Sequence, residues 1–294
     1  MLESLGDLVA TDRAALDLLD EDSVQKAIRS HRPDLLVNAA AYTNVDSAEA
    51  EPDIAMKVNA LAPGVMAREA LSVGALLVHY STDHIFSGDG KRPLREDDDP
   101  DPINTYGRTK LAGERAIVES GVPHLILRTS WVFSEGSRNF FSNIIRLARE
   151  REELKVVDDQ VGKPNWSRCL ALATTEILMH LLTRGGTIGQ AADGVSGIYH
   201  LCGEDHTSRF GFAQAIIDLY RRQAPSRDFA PLRLERLIPV GSEQFPAAAL
   251  RPKYSVMSCE KIQRIFGLRL PPWRKQLAML FNDFPAIGSA IRKG

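Results

Sequence analysis

Tyr106 and Lys110, four residues apart in YGRTK, are the most chemically suggestive pair in the sequence. On a helix that spacing brings both side chains to one face. A free phenol titrates at about pH 10, and a nearby cation favours its ionised form, so such a tyrosine is a candidate general acid or base. The same spacing also describes an ordinary surface pair, and its meaning depends on what stands around it. A second cluster, Tyr80-Ser81-Thr82-Asp83, closes an apolar run at Ala75–Ser81. Ligands of open α/β sheets bind beyond the carboxyl ends of the strands. Polar residues there can touch a substrate or cap the strand exit. A third, Asn38-Ala39-Ala40-Ala41, ends another apolar run in small side chains. These admit either a flat ligand or a closely packed helix.

The elements that must position these residues follow an alternating pattern. Short apolar runs at Asp7–Thr11, Asp34–Ala41, Ala75–Ser81 and His124–Trp131 read as strands, and DLLVNAAAY is apolar on successive residues, as a strand buried on both faces should be. Helical periodicity predicts Asp22–Ser30, Ala48–Ser72 and Tyr106–Glu119 between them. The expected class is α/β, a Rossmann-type doubly wound parallel sheet. Phe86–Thr105 is rich in Gly, Pro and Asp and is expected to be a long functional loop. Its acidic stretch Glu96–Asp99 reads as a solvated face. Beyond Trp131, helices at Asn139–Glu150, Ser167–Leu182, Thr207–Arg222, Cys259–Phe266 and Trp273–Phe281 surround strand-like ELKVVDDQ and GIYHLCG. The chain therefore divides into residues 1–131 and a smaller lobe, 132–294, partly interleaved with the first.

Composition narrows the class. With 36 basic and 38 acidic residues the net charge is −2, which argues against a nucleic-acid binder or a polybasic membrane-surface protein. No apolar run approaches the length of a membrane span, and the acidic start lacks the order of a signal peptide, so a cytoplasmic protein is expected. Cys169, Cys202 and Cys259 are scattered and form no CxxC pair; they read as buried thiols, and no metal site is expected.

Taken in order, VNAAAYTNVDSAEAEP, HYSTDHIFSGDG, YGRTKLAGE, LRTSWVFSEGSRNF, VVDDQVGKPNW, GIYHLCG and FGLRLPPWRKQL resemble the dTDP-4-dehydrorhamnose reductase family of extended short-chain dehydrogenases, over about residues 7–281. The resemblance implies reduction of a 4-keto dTDP-sugar to dTDP-L-rhamnose with NADPH or NADH. It makes 1–131 the cofactor domain and 132–294 mainly the substrate lobe. Tyr106 would donate the proton, Lys110 would hold the nicotinamide ribose and lower the tyrosine's pKa, and Thr82 would hydrogen-bond the substrate oxygen. Asp83 and Trp131 match positions that touch the sugar nucleotide. Ala40, Ala41 and Tyr42 would border the cofactor, with Asp17 and Leu18 near its adenine and Asp12 at the adenosine ribose. Arg13 beside Asp12 leaves NADPH and NADH both open. The family leaves room for a homodimer and for Mg2+, which no ligand motif supports, and implies neither nucleic acid nor membrane as partner.

Two substitutions depart from the pattern: His84 stands where tyrosine is frequent, and Arg209 where an aromatic is common. The larger departure is at the front. Before the strand at Ala75 there are three scattered glycines, Gly6, Gly64 and Gly74, which cannot form a phosphate-cradling G-x-x-G-x-x-G turn. The resemblance begins near the end of the expected first helix, so a truncated reading frame is one expectation. The other is a protein that has lost cofactor binding, like the regulatory beta subunit of methionine adenosyltransferase. A reductase or epimerase of another nucleotide sugar is the third.

Overall fold

A computed structural model describes residues 2–136, 138–227 and 229–283. Four parallel strands form the main sheet: β1 (Leu35–Asn38), β2 (Leu76–Thr82), β3 (His124–Thr129) and a fourth, Gly197–His200, in that spatial order. Leu76, Leu77, Val78, Leu125, Ile126 and Leu127 are fully buried. Alternate side chains enter opposite layers. Leu76, Val78, Leu125 and Leu127 join the large core that includes Leu170, Ile177 and Leu178 of the Ser167–Leu182 helix. Leu77 and Ile126 face Ala67 and Ala70 of the Ala62–Val73 helix and Ile117 of the Thr105–Glu119 helix.

Two sequence expectations fail here. Asp7–Thr11 is not a strand: its backbone joins no ladder, and Leu8 and Val9 are about half exposed. Among the described residues no strand lies beside it, so its apolar residues have no sheet surface to cover. The segment Ala48–Ser72 is not one helix but Val45–Ala50, Pro52–Met56, a π-turn at Lys57–Leu61 and Ala62–Val73. Pro52 lacks the amide that would continue the first piece, so it starts a new one. Hydrophobic period does not register either break.

The Thr105–Glu119 helix begins where Asn104 accepts the Gly107 amide at 2.8 Å. It is held from outside as well. Glu49 accepts both the Thr105 amide and its hydroxyl, each at 2.7 Å. On the sheet side, Arg128 of β3 donates to both carboxylate oxygens of Glu114, the shortest contact being 2.6 Å, with each side chain 2% exposed. The loop 86–104 is irregular, as its composition predicts, but its acidic stretch is not simply solvated. Glu96 accepts the His200 amide at 2.8 Å, and Asp98 binds Arg92 and the Arg95 amide. The second half packs Trp166, Phe141, Phe212, Trp273 and Phe281 around its helices, with Glu153–Val157 and Arg236–Val240 paired in parallel.

The Arg128–Glu114 pair should show the asymmetry of buried charges. Arg128→Met alone is expected to cost about 3–5 kcal/mol in urea denaturation, because the carboxylate is left buried without its partner. Adding Glu114→Leu should recover most of that loss. A single variant costing under about 1 kcal/mol would mean the pair does not hold the helix.

Candidate active site

Thr82 and Asp83 leave the C-terminal end of β2 with relative exposures of 5% and 3%. The Thr82 hydroxyl donates to Asp83 Oδ1 at 3.2 Å and accepts the His84 amide at 3.1 Å. Tyr106 enters from the first turn of its helix. It keeps some surface at the crevice, but its phenol is surrounded by protein. Its ring meets His84 edge-on, centroids 5.4 Å apart. His84 is itself fixed: Asn104, whose Oδ1 accepts the Gly107 amide, turns its Nδ2 toward His84 Nδ1 at 3.0 Å. Nδ1 is thereby the acceptor, and burial lowers the ring's pKa, so His84 is a neutral wall for the tyrosine.

Close approach of the helix explains two glycines. A Cβ on Gly107 would lie 2.1 Å from the His84 carbonyl oxygen, and one on Gly113 would lie 2.1 Å from that of Asn59. Both contacts are with backbone, which cannot step aside. Asn59 sits in the π-turn, a device often found at functional sites. Its side chain accepts the Tyr42 amide at 2.8 Å, and donates to the Tyr42 carbonyl and to Thr109 Oγ1, each at 3.1 Å. It therefore ties the Ala39–Tyr42 segment to the helix that carries Tyr106. Sequence reading missed Asn59, because an asparagine inside a helical period has no distinctive signature.

Burial sets the charge states, and one expectation is corrected. Lys110 does not lower the tyrosine: desolvation pushes Tyr106 up to about 12, and Asp83 adds to the rise while Thr82 opposes it. Lys110, 1% exposed, turns its Nζ instead to the Tyr80 carbonyl at 2.7 Å and to His79 Nε2 at 3.0 Å. Burial lowers Lys110 to about 8, with Glu114 resisting. Tyr106 is consequently a protonated acid at neutral pH.

Trp131 has a backbone φ of 44°, the left-handed region that bulky residues avoid. The Arg209 guanidinium lies 3.7 Å from the centre of its ring and 5.1 Å from that of Phe140. Burial lowers Arg209 to about 10, with Arg251 adding to the fall and Asp83 opposing it.

The remaining sequence candidates fall into two groups. Ala40, Ala41 and Tyr42 follow β1 beside the helix that carries Lys110. Asp12, Asp17 and Leu18 stand apart from the catalytic cluster. Asp12 Oδ1 accepts the amides of Ala14 and Ala15 at 3.0 and 2.9 Å, Asp17 accepts that of Leu19, and Leu18 packs on the Val24, Ile28 and Val65 cluster.

The strand ends offer polar groups suited to a nicotinamide nucleotide. Ser81 Oγ and Thr129 Oγ1, at the C-terminal ends of adjacent strands, are buried without hydrogen-bond partners, and Thr129 stands in register with Thr82. Lys110 adds donors close by. At the phosphate end, among the described residues, no glycine-rich turn opens a helix next to β1. Nor does any group of three metal-ligating side chains occur among them, or a helix long and apolar enough to cross a membrane.

The family described as the RmlD substrate binding domain matches residues 1–285. A dTDP-4-dehydrorhamnose reductase of Burkholderia thailandensis is 40% identical, over 96% of this chain and 92% of that protein. One from Escherichia coli is 38% identical, over 96% and 91%. Among solved structures, dTDP-4-dehydrorhamnose reductase of Bacillus anthracis in complex with NADP superposes with a TM-score of 0.83 at 34% identity, covering 96% of this chain and 92% of that one.

Buried Lys110 gives a test of the site's electrostatics. Its value in the folded chain, about 8, lies below the ordinary 10.5, so the charged lysine opposes folding at neutral pH. That penalty is full below pH 8 and fades as pH rises through 8 towards 10.5. Lys110→Met is therefore expected to gain about 1–3 kcal/mol of stability at pH 7, with the gain shrinking over that window. A variant less stable than the parent at every pH would overturn this account.

Proposed function

The chain belongs to the RmlD family of dTDP-4-dehydrorhamnose reductases, and on that premise we propose that Tyr106, Thr82 and Lys110 carry its reaction. The reaction is reduction of the 4-keto group of dTDP-4-dehydro-L-rhamnose to dTDP-L-rhamnose. A bound NADPH or NADH supplies the hydride. The observation that carries the assignment is a phenol kept protonated by burial, beside Thr82 at a strand's carboxyl end, with a buried lysine one turn along the same helix.

When hydride adds to a ketone, negative charge grows on its oxygen, and the protein must neutralise it. Tyr106 delivers its proton to that oxygen. Its high pKa suits an acid that must stay protonated until the oxygen becomes strongly basic. The Thr82 hydroxyl, now turned to Asp83, donates to the same oxygen, which stabilises charge where it develops. Lys110 holds the nicotinamide ribose hydroxyls and replaces charge as the phenol gives up its proton. Ala40, Ala41 and Tyr42 border the nicotinamide half, and Asn59 keeps that segment in place. Asp12, Asp17 and Leu18 stay assigned to the adenosine end. Asp83 and Trp131 hold the sugar nucleotide, with Arg209 stacked on the tryptophan. A regulatory, non-catalytic role has less support, since a scaffold has no use for a lysine buried at a cost to stability.

Tyr106→Phe keeps the ring against His84 and removes the proton. Turnover with dTDP-4-dehydro-L-rhamnose should fall by about 10²–10⁴, while the dissociation constant for NADPH, read by nicotinamide fluorescence, stays within about twofold. Unchanged turnover would remove Tyr106 from the role of donor.

A further inference from the structure

Lys110 is reached by a buried polar chain whose other members, Asn38 and His79, have no place in the reaction as described; the relative exposures of Asn38, His79 and Lys110 are 4%, 1% and 1%. Asn38 Nδ2 lies 3.0 Å from His79 Nδ1, and His79 Nε2 lies 3.0 Å from Lys110 Nζ. The direction of each bond can be worked out from its neighbours. Asn38 Oδ1 accepts the Ala40 amide at 3.1 Å, which fixes its amide with Nδ2 toward the histidine. Nδ2 can only donate, so His79 Nδ1 must be the acceptor.

The ring is neutral, since complete burial holds its pKa well below the ordinary histidine value and an accepting Nδ1 carries no proton. A neutral ring with an accepting Nδ1 carries its proton on Nε2. That proton points at Lys110 Nζ. An ammonium has three donors and no lone pair, so it would meet the Nε2–H donor against donor. An amine completes the chain without conflict, accepting from His79 and donating to the Tyr80 carbonyl at 2.7 Å. The other ionisable groups around the lysine leave this direction unaltered. Glu114, on the same helix, is engaged by Arg128 of β3, Tyr106 is protonated, and Asp83 lies beyond the end of β2.

We propose that His79 is the positioning residue for Lys110: it latches the neutral amine against β2 through its Nε2–H and releases the side chain when that amine takes up a proton. The inference rests on the reading above that Lys110 serves the nicotinamide ribose. It adds that, at a pH where the amine is neutral, loading the cofactor is coupled to proton uptake at this lysine. The reduction consumes one proton per turnover, and a lysine charged on cofactor binding would bring a proton to the site before the chemistry begins.

The tautomer is directly measurable in the full chain. With 15N-labelled histidine at pH 9, the His79 resonances, identified by their loss in His79→Gln, should show a protonated Nε2 and an unprotonated Nδ1. An Nδ1–H ring or an imidazolium would overturn the latch. Asn38→Asp reverses the first bond, because a carboxylate can only accept. The ring should switch to Nδ1–H, and the Lys110 midpoint, followed with ε-13C lysine and assigned with Lys110→Arg, should rise by at least about one pH unit, a tenfold change in the ratio of the two forms. A ring unchanged in that variant also overturns it.

Calorimetry of NADPH binding at pH 9, in two buffers of different ionisation enthalpy, should show uptake of about one proton by the parent and clearly less by Asn38→Asp. Binding without proton uptake would refute the coupling. No binding of NADPH or NADH at all would count against the functional reading instead, and the tautomer result would stand apart from it.

Discussion

Everything at the site depends on how closely one helix approaches the sheet. Gly107 and Gly113 let the Thr105–Glu119 helix touch the carbonyls of His84 and Asn59, at distances that no side chain would permit. Arg128 and Glu114 then fix that approach with a doubly hydrogen-bonded ion pair that water does not reach. Coulomb attraction at such a site is strong only because both charges have already lost their hydration, so the pair serves position more than stability. Its consequence is the burial of Tyr106 and Lys110 on the face between the helix and the strand ends.

Burial, rather than the proximity of opposite charge, sets the chemistry of the two residues. Sequence spacing suggested a lysine that lowers the tyrosine's pKa. Desolvation acts on both groups in the direction of neutrality, raising the acid and lowering the base. A site prepared in this way holds an uncharged donor and a lysine close to its midpoint. Asn38, His79 and the Tyr80 carbonyl give the lysine a defined place while it is neutral.

Much of this was legible in the chain, for reasons particular to each segment. The runs that became β2 and β3 are buried on both faces, so continuous apolar sequence was a faithful signal. Thr105–Glu119 was readable from Tyr106 onward because its period is uninterrupted. Asp7–Thr11 has the composition of a strand, but strand formation needs a neighbour, and composition carries no record of one. The breaks at Pro52 and Lys57–Leu61 lie inside an apolar period that survives both of them. Thr82, Tyr106 and Lys110 were singled out through a motif, and Asn38 through the cluster that closes its apolar run. Asn59 and His79 were not, because their hydrogen bonds run to residues 17 and 31 positions away.

Arg209 shows the same limit from the opposite direction. Its type departs from the aromatic that the family pattern leads one to expect. The guanidinium nevertheless keeps the flat face of an aromatic, stacked 3.7 Å from the Trp131 ring centre and near Phe140. A planar cation can replace a planar hydrocarbon in such a stack while adding charge. Trp131 is itself held at a positive φ, so the wall it forms is set by backbone as well as by packing. The stack thus sets the shape at this position, while the guanidinium adds a positive charge that an aromatic side chain would not bring.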